Sequence, residues 1–588
     1  MQNIPQAVDY IIVGGGTAGN VVAARLAERG HSVLVLEAGK DVSAEPEVKT
    51  PGLSTVNFIN PDKNWSFMST PQTHVNGRQI FLPRGKCLGG SSIINFMQLN
   101  HPGAQEFDDA FKSFGIDGWS WNDLLPYFKK FEKLNTASPI DTHIQPDLSR
   151  HGDSGPVEAT VPVETTEPRE LFFKVMNEIG VETNRDMRRG KNVGVWNGYQ
   201  AIDSVERSRM SSDRAYLQPN LSKLPDLHVV TEAHVTRVLL STPSNGSVPA
   251  AEGVEFLHGG EKRTVKAAKE VIVSAGSYHT PQVLELSGIG DPSILSKHGI
   301  QTLVESPGDH ILAPTVWELP PEADTYDALR NDPAAAGVEM NKYQTEKRGK
   351  FAIVPLSFAT LPASKVVPAE QKAALKDAFK ESAKAANHPL VNKMVDLQLR
   401  WMENDDITFT ELVESSAFYP ASTNPTPDPS KRYFSIMFAL QFPLSRGTVH
   451  ITSTDPTEKP AVDPQFFSRD SDLQVMLAAI KLVRSLVKTK TFGQSVLGEV
   501  SPGKDAETDD QLKEYIKNNL GVVFHPVGTA AMLPKELGGV VDKNLKVYGA
   551  DKLRVVDASI FPIEFSVHPL ATIYAMAEKA ADIISGSA

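Results

Sequence analysis

The sequence predicts an α/β protein into which an α+β region is inserted in pieces, and three observations lead there. Residues 9–37 read as a strand–helix–strand unit, strand candidates recur downstream and again near the C-terminus, and the stretch between has a different texture. Tyr10 to Val13 is a short apolar run of strand length. Thr17 to Arg29 follows, rich in Ala, and Gly30 stands where a helix-ending glycine belongs. Ser32 to Glu37 is a second buried strand. Further strands are expected at His228–Thr231, Thr236–Leu240, Glu270–Ser274 and Leu553–Asp557, and a helix from Leu570 to Ile584 ends the sequence. Between them, residues 319–377 mix prolines with Lys/Glu-rich helical stretches, and Arg446 to Ile451 is strand-like. From Asp470 to Leu486, the spacing of Leu473, Met476, Leu477, Ile480, Val483 and Leu486 predicts an amphipathic helix whose stripe faces a core.

Length and composition narrow the function. At 588 residues the chain exceeds the roughly 250–300 at which one core stops growing, so at least two domains are expected. Lys+Arg number 59 against 71 Asp+Glu, a net charge of −12. That sign opposes tracking of a phosphate backbone, so nucleic acid is not expected as a partner. A single cysteine, Cys87, leaves no intrachain disulfide and no thiolate cluster for zinc or iron–sulfur chemistry, and no metal is expected. Before Tyr10 there is neither a basic nor an apolar leader, and nowhere do 18 apolar residues run together. The expectation is a cytoplasmic protein without a membrane partner. G-x-S-x-G is absent, which argues against an α/β-hydrolase.

Gly14-Gly-Gly16-Thr-Ala-Gly19 places G-x-G-x-x-G directly after a strand and at a helix start. There the first glycine permits a tight turn, Gly16 lets backbone approach a pyrophosphate, and Gly19 allows close helix–strand packing. Glu37 ends the second strand 18 residues after Gly19, where a carboxylate can accept from a ribose diol. This context predicts dinucleotide binding without separating NAD from FAD. A second glycine-rich stretch, Gly85 to Asn95, could supply backbone and hydroxyl donors from Gly89, Gly90, Ser91 and Ser92 or could be an ordinary turn. A third, Gly276 to Gly290, predicts a helix that starts at Thr280–Pro281 and stops at Gly288 or Gly290.

Four His-Pro pairs occur, at His101, His388, His525 and His568. The last two flank the final strand candidate, and open α/β sheets bind ligands at the carboxyl ends of their strands. Pro569 suits the first position of the terminal helix, which would aim its positive end near His568. By pattern alone the pair could equally be polar loop histidines. Phe409, Phe418, Tyr419, Phe434 and Phe442 could line an aromatic pocket, with core packing as the default.

Together these stretches resemble the glucose–methanol–choline (GMC) family of FAD-dependent oxidoreductases from Tyr10 to the end, closest in texture to fungal alcohol and aryl-alcohol oxidases. The N-terminal glycines and Glu37 match the family's ADP site. Gly85–Asn95 with Pro102 and Asp108 is similar to its first signature, departing at Leu99, and Gly276–Gly290 matches the second. His525–Thr529, Val540–Asp542, Leu553–Ser559 and His568–Tyr574 are similar to its C-terminal block, and Arg446–His450 to a strand of its substrate domain.

The resemblance implies an α/β FAD-binding Rossmann-like domain of GMC type, made of residues 1–160, 228–315 and 510–588, with an α+β substrate-binding domain from 161–227 and 316–509. It implies FAD as cofactor, held around the first loop by Gly14, Gly16, Thr17, Ala18, Gly19, Glu37 and Ala38. The second loop would add Arg84, Gly85, Gly90, Ser91 and Asn95, and later segments Val235, Asp557, Ala558 and Pro569. His525 takes the place of the family's catalytic base and His568, 43 residues on, that of its partner. The implied reaction oxidises a primary alcohol to an aldehyde by hydride transfer to flavin N5, with O2 or another acceptor reoxidising the flavin. Two other readings remain: a hydroxynitrile-lyase-like protein with non-redox flavin, and a silent flavoprotein acting as a binding module, against which the retained histidines argue. One departure stands out. The family reads P-G-V-G-x-N-L-x-D-H, whereas here Pro307-Gly308 runs straight into Asp309-His310, and FAD would be held in a weaker, more exposed site.

Overall fold

The structure, a computed structural model, describes residues 4–136, 143–241, 248–298 and 309–587. The chain begins with strand β1 (Ala7–Val13), helix α1 (Thr17–Glu28) and strand β2 (Val33–Leu36). A long excursion of helices and short strands then leads to the strand β3 (Gly194–Trp196). Strands β4 (Leu227–Val230), β5 (Ala233–Leu240), β6 (Ala251–His258) and β7 (Glu261–Val273) follow, with helix α2 (Gly276–Leu286). The middle brings β8 (Ile311–Leu319), β9 (Leu356–Leu361), β10 (Thr410–Ser415), β11 (Arg432–Leu440) and helix α3 (Asp470–Ser485). The chain ends through β12 (Gly498–Ser501), β13 (Gly521–Val522), β14 (Leu553–Val555) and helix α4 (Leu570–Ser585).

Two sheets organise these strands, the first mixed and the second antiparallel throughout. The first runs β4-β2-β1-β7-β6-β5, with β14 also on β7. Its β4, β2, β1, β7 and β14 are parallel, so their carboxyl ends share one edge. Ile11, Ile12, Val33, Val35, Val271 and Val273 are fully or nearly fully buried, as in a sheet covered on both faces. Gly19 sits so close under the sheet that a Cβ there would lie 2.1 Å from Gly14 O. Helices α1 and α4 pack together although they open and close the chain. Arg25 Nε and Nη2 reach the Glu578 carboxylate at 2.9 and 2.7 Å, and the fully buried Glu578 also accepts from Tyr216 Oη at 2.9 Å.

The second sheet runs β12-β8-β11-β10-β9-β3, with β13 also on β8. The six apolar residues of the 470–486 stripe are all buried, as their spacing predicts. Strand β8 begins at Ile311, and Gly521–Val522 pairs with it in the second sheet. No helix among the described residues is long and apolar enough to cross a membrane.

Helix α2 corrects the expectation that Thr280–Pro281 opens it, since it starts at Gly276 and holds Pro281 inside. Proline there removes the donor that would have bonded Ser277 O. Thr529 Oγ1 takes that place at 2.7 Å, and Ser277 Oγ donates to Pro526 O at 2.6 Å. The proline thus frees a carbonyl to which the His525 segment is tied. Pro569 flanks α4 as its N-cap, one residue ahead of the expected position.

Two alanine substitutions at glycines test this packing through opposite signs. Gly19→Ala is expected to lower the thermal midpoint, at about 1–3 kcal/mol for an over-packed contact. Gly337 lies exposed within the helix Pro333–Glu346 with open space around it. There, alanine is expected to raise stability by about 0.5–1 kcal/mol. Unchanged thermal unfolding of Gly19→Ala would contradict the close approach.

Candidate active site

The parallel strands end at a cleft lined by Gly14, Gly16, Thr17, Ala18, Glu37, Ala38, Arg84, Gly85, Gly90, Ser91, Val235, Asp557 and Ala558. Three backbone crossings build it. Gly14, at φ 99°, turns the chain from β1 into α1, and Gly90, at φ 54°, runs against Gly16, whose Cα would be 2.7 Å from a Cβ at Gly90. A Cβ on Gly39 would lie 2.1 Å from Lys86 O, so the loops after β2 and around Cys87 are in contact. Cys87 is buried, and burial pushes its thiol well up, which leaves it an inert packing residue.

The residues present fit a dinucleotide. No side chain caps the start of α1, so its first-turn N–H groups are available to phosphate oxygens. Glu37 Oε2 accepts from Gly15 N at 2.9 Å and Oε1 from Gly39 N at 2.8 Å, which aims the carboxylate while leaving each oxygen a lone pair. Burial pushes Glu37 up to about 7, against the pull of the Gly39 and Gly15 amides and Lys86. Asp557 is committed otherwise: Oδ2 accepts from Gly276 N at 2.9 Å and Thr280 Oγ1 at 2.6 Å, and Oδ1 from Ser559 N at 2.8 Å. It fastens the end of β14 to α2.

Three of the expected cofactor residues do not line the cleft. Gly19 lies beneath it, where it lets α1 approach β1. Asn95 Oδ1 accepts from Met97 N at 3.0 Å and from Arg209 Nη1 at 2.9 Å, so its side chain braces a turn. Pro569 begins α4. The cleft also has walls that no motif marked, Trp65 and His234, and two from the Gly276–Gly290 stretch, His279 and Gln282, with the Trp65 and His279 rings 4.1 Å apart.

Beside the cleft, His525 and His568 come together with ring centroids 5.0 Å apart. His525 N donates to Asp309 Oδ1 at 2.9 Å, and its ring Nδ1 is 3.2 Å from His310 Nδ1. His568 Nε2 is 3.3 Å from Glu411 Oε2, and Phe358 meets the His568 ring edge-on at 4.9 Å. Arg84 joins the two regions, lining the cofactor cleft while its guanidinium donates to Phe524 O. Burial first, then His568, His310 and Arg84, hold His525 well below the ordinary imidazole range. Burial pushes Asp309 up to about 7 against Arg84, and burial followed by the Asp309 charge pushes Glu564 well above the carboxylate range.

Asp309, His310, Glu411 and Glu564 had no assigned role in the sequence. The pair Asp309-His310 ends the departed family pattern and could have been flagged by it. Glu411 carried no local signal, because the contact spans 157 residues. The junction at Gly308 itself lies outside the described residues. Phe409, Phe434 and Phe442 are buried in the main core, Phe418 is buried in a small cluster with Val316 and Tyr433, and Tyr419 packs partly buried against another apolar cluster that contains Phe358.

Comparison with known proteins agrees with this geometry. The family description GMC oxidoreductase matches residues 8–302 and again residues 443–577. The dehydrogenase citC of Monascus ruber is 34% identical over 605 residues, covering 98% of this chain and 96% of its own. An FAD-dependent oxidoreductase from Chaetomium thermophilum superimposes with a TM-score of 0.88 at 28% identity, over 98% of this chain and 99% of that one. A fungal aryl-alcohol oxidase superimposes with a TM-score of 0.85 at 27% identity over 99% of both chains. With the glycine cradle, the Glu37 carboxylate and the uncapped helix start already in place, the chain belongs to the GMC oxidoreductase family and its cofactor is FAD.

Proposed function

We propose that the protein oxidises a primary alcohol to the aldehyde, with His525 as the base and His568 as its partner on the substrate oxygen. The observation that carries this reading is the meeting of the two imidazoles, 5.0 Å apart, beside the cofactor cleft. FAD, when bound, supplies the acceptor for the hydride on the alcohol's α-carbon, and O2 or a second acceptor then reoxidises it. His525 takes the hydroxyl proton, which needs the neutral ring. Its depressed pKa keeps that form populated at neutral pH. His568 donates to the same oxygen, its ring oriented by Glu411 on one side and the Phe358 edge on the other. Phe358, which touches the His568 ring, belongs to an apolar cluster with Trp196, Leu312, Val413 and Met437, and this apolar surround supports an apolar group on the alcohol.

A panel of primary alcohols mixed anaerobically with the holoenzyme is expected to bleach the flavin. Persistent yellow colour with every alcohol, together with cleavage of a cyanohydrin, would support the hydroxynitrile-lyase reading instead. His525→Ala should slow flavin reduction by roughly 10²–10⁴-fold while FAD content stays near one per chain. His568→Ala should also be impaired and His568→Asn less so, because an amide can still donate; equal loss in both would show that imidazole itself is required.

The pH dependence has a defined sign. His525 is active when neutral and titrates below the ordinary 6.5. The reduction rate should therefore be flat down through pH 6.5 and fall only at lower pH, and an acid limb centred above pH 6.5 would contradict the environment assigned to this ring.

A further inference from the structure

The register of the second sheet fixes a hydrogen position on the proposed base. Strands β8 and β11 pair antiparallel with Ile311 opposite Leu440, so the next residues out, His310 and Gln441, face each other beyond the ladder's end. His310 Nε2 lies 2.8 Å from Gln441 O. A carbonyl oxygen only accepts, so Nε2 of His310 carries the hydrogen. The ring is 2% exposed, and burial with His568 nearby holds it neutral, down at about 3. Its Nδ1 is therefore a lone pair.

That lone pair lies 3.2 Å from His525 Nδ1. Two facing lone pairs would repel, so the hydrogen of the neutral His525 ring sits on Nδ1 and is donated to His310. The lone pair of His525 is then on Nε2, the ring position turned away from His310.

We propose that His310 is a positioning residue that locks His525 in the Nδ1–H tautomer, and so delivers Nε2 as the atom that takes the substrate proton. This rests on the assignment of the base to His525. Asp309 completes the lock by accepting from the His525 backbone N–H at 2.9 Å, so consecutive residues at the start of β8 hold both the backbone and the ring of the base.

The competing arrangement has a charged His310, donating from Nδ1 and leaving His525 with its hydrogen on Nε2, where it cannot accept a proton. The groups facing the pair decide between the two. Glu564 Oε2 is 3.7 Å from His310 Nε2 and would favour the charged ring if ionised, but burial and the Asp309 charge disfavour its ionised form, against the pull of Arg446. His568 disfavours a positive charge on His310, and Arg446 lies by Glu564. Glu411 faces His568 rather than the pair. The neutral His310 is the consistent state.

Nitrogen NMR of the holoenzyme labelled only in histidine reads the tautomer without turnover, with the His525 signals identified by their loss in His525→Gln. The expected spectrum has a protonated Nδ1 and an unprotonated Nε2 on His525; the reverse pattern would overturn the proposal. This test needs no variant of His310 to fold.

Kinetics supply the second arm. His310→Leu removes the acceptor and should slow anaerobic flavin reduction by at least roughly ten-fold, less than the roughly 10²–10⁴-fold of base removal, at unchanged FAD content. His310→Gln keeps an acceptor oxygen and should recover much of the loss. His310→Leu at the wild-type rate, while His525→Ala is nearly inert, would overturn this inference alone. His525→Ala at the wild-type rate would overturn the base assignment itself.

Discussion

Three chain segments meet at the first residues of β8, and the site depends on that meeting. Ile311 pairs with Leu440 on one side and with Val522 on the other, so β11 and β13 end together beside Asp309 and His310. Val523 N donates to His310 O at 3.1 Å, and two residues later His525 N donates to Asp309 Oδ1. A slip of one residue along either ladder would turn each side chain to the opposite face and separate His310 from both Gln441 and His525. Specificity of register, set by the apolar faces of the second sheet, is thereby converted into the position of one imidazole.

The first sheet supplies the complementary constraint. Parallel pairing sends the ends of β1, β2, β7 and β14 to one edge, where glycines at the crossings leave backbone donors uncovered by side chains. The His525 segment is moored to this edge through Ser277 and Thr529, and Arg84 spans from the cleft to Phe524 O. The FAD cleft and the His525 segment are therefore held by the same set of contacts, which matters because a misplacement of about 1 Å can cost an enzyme roughly a hundredfold in rate. The buried Asp309 and Glu564 carboxyls are kept close by at a cost in stability, a common price of a functional site.

Local patterns made the first sheet legible. Strand, glycine turn, helix and acid follow within residues 7–37, and their physics is complete without the rest of the chain. The second sheet was harder to read: helical segments separate β8 from β9 and β9 from β10, and β8 finds its partner β11 more than a hundred residues away, as Ile311 with Leu440. Helix α2 misled because Pro281 normally opens a helix, and only the hydroxyl of Thr529 explains why it is tolerated inside. His525 and His568 were found through the resemblance and the strand between them. Glu411 and Gln441 were invisible because a strand residue and a backbone carbonyl carry no motif of their own.

The central claim is that the imidazole pair and the FAD cleft form one site where the α-hydrogen of an alcohol leaves as hydride. The most direct measurement compares ordinary with α,α-dideuterated benzyl alcohol in anaerobic rapid mixing and follows flavin absorbance in a single turnover. The account predicts bleaching with both and a several-fold slower rate with the deuterated alcohol, because the bond to the α-hydrogen breaks in the observed step. Bleaching at the same rate with both alcohols would place that bond outside the observed step and contradict the claim.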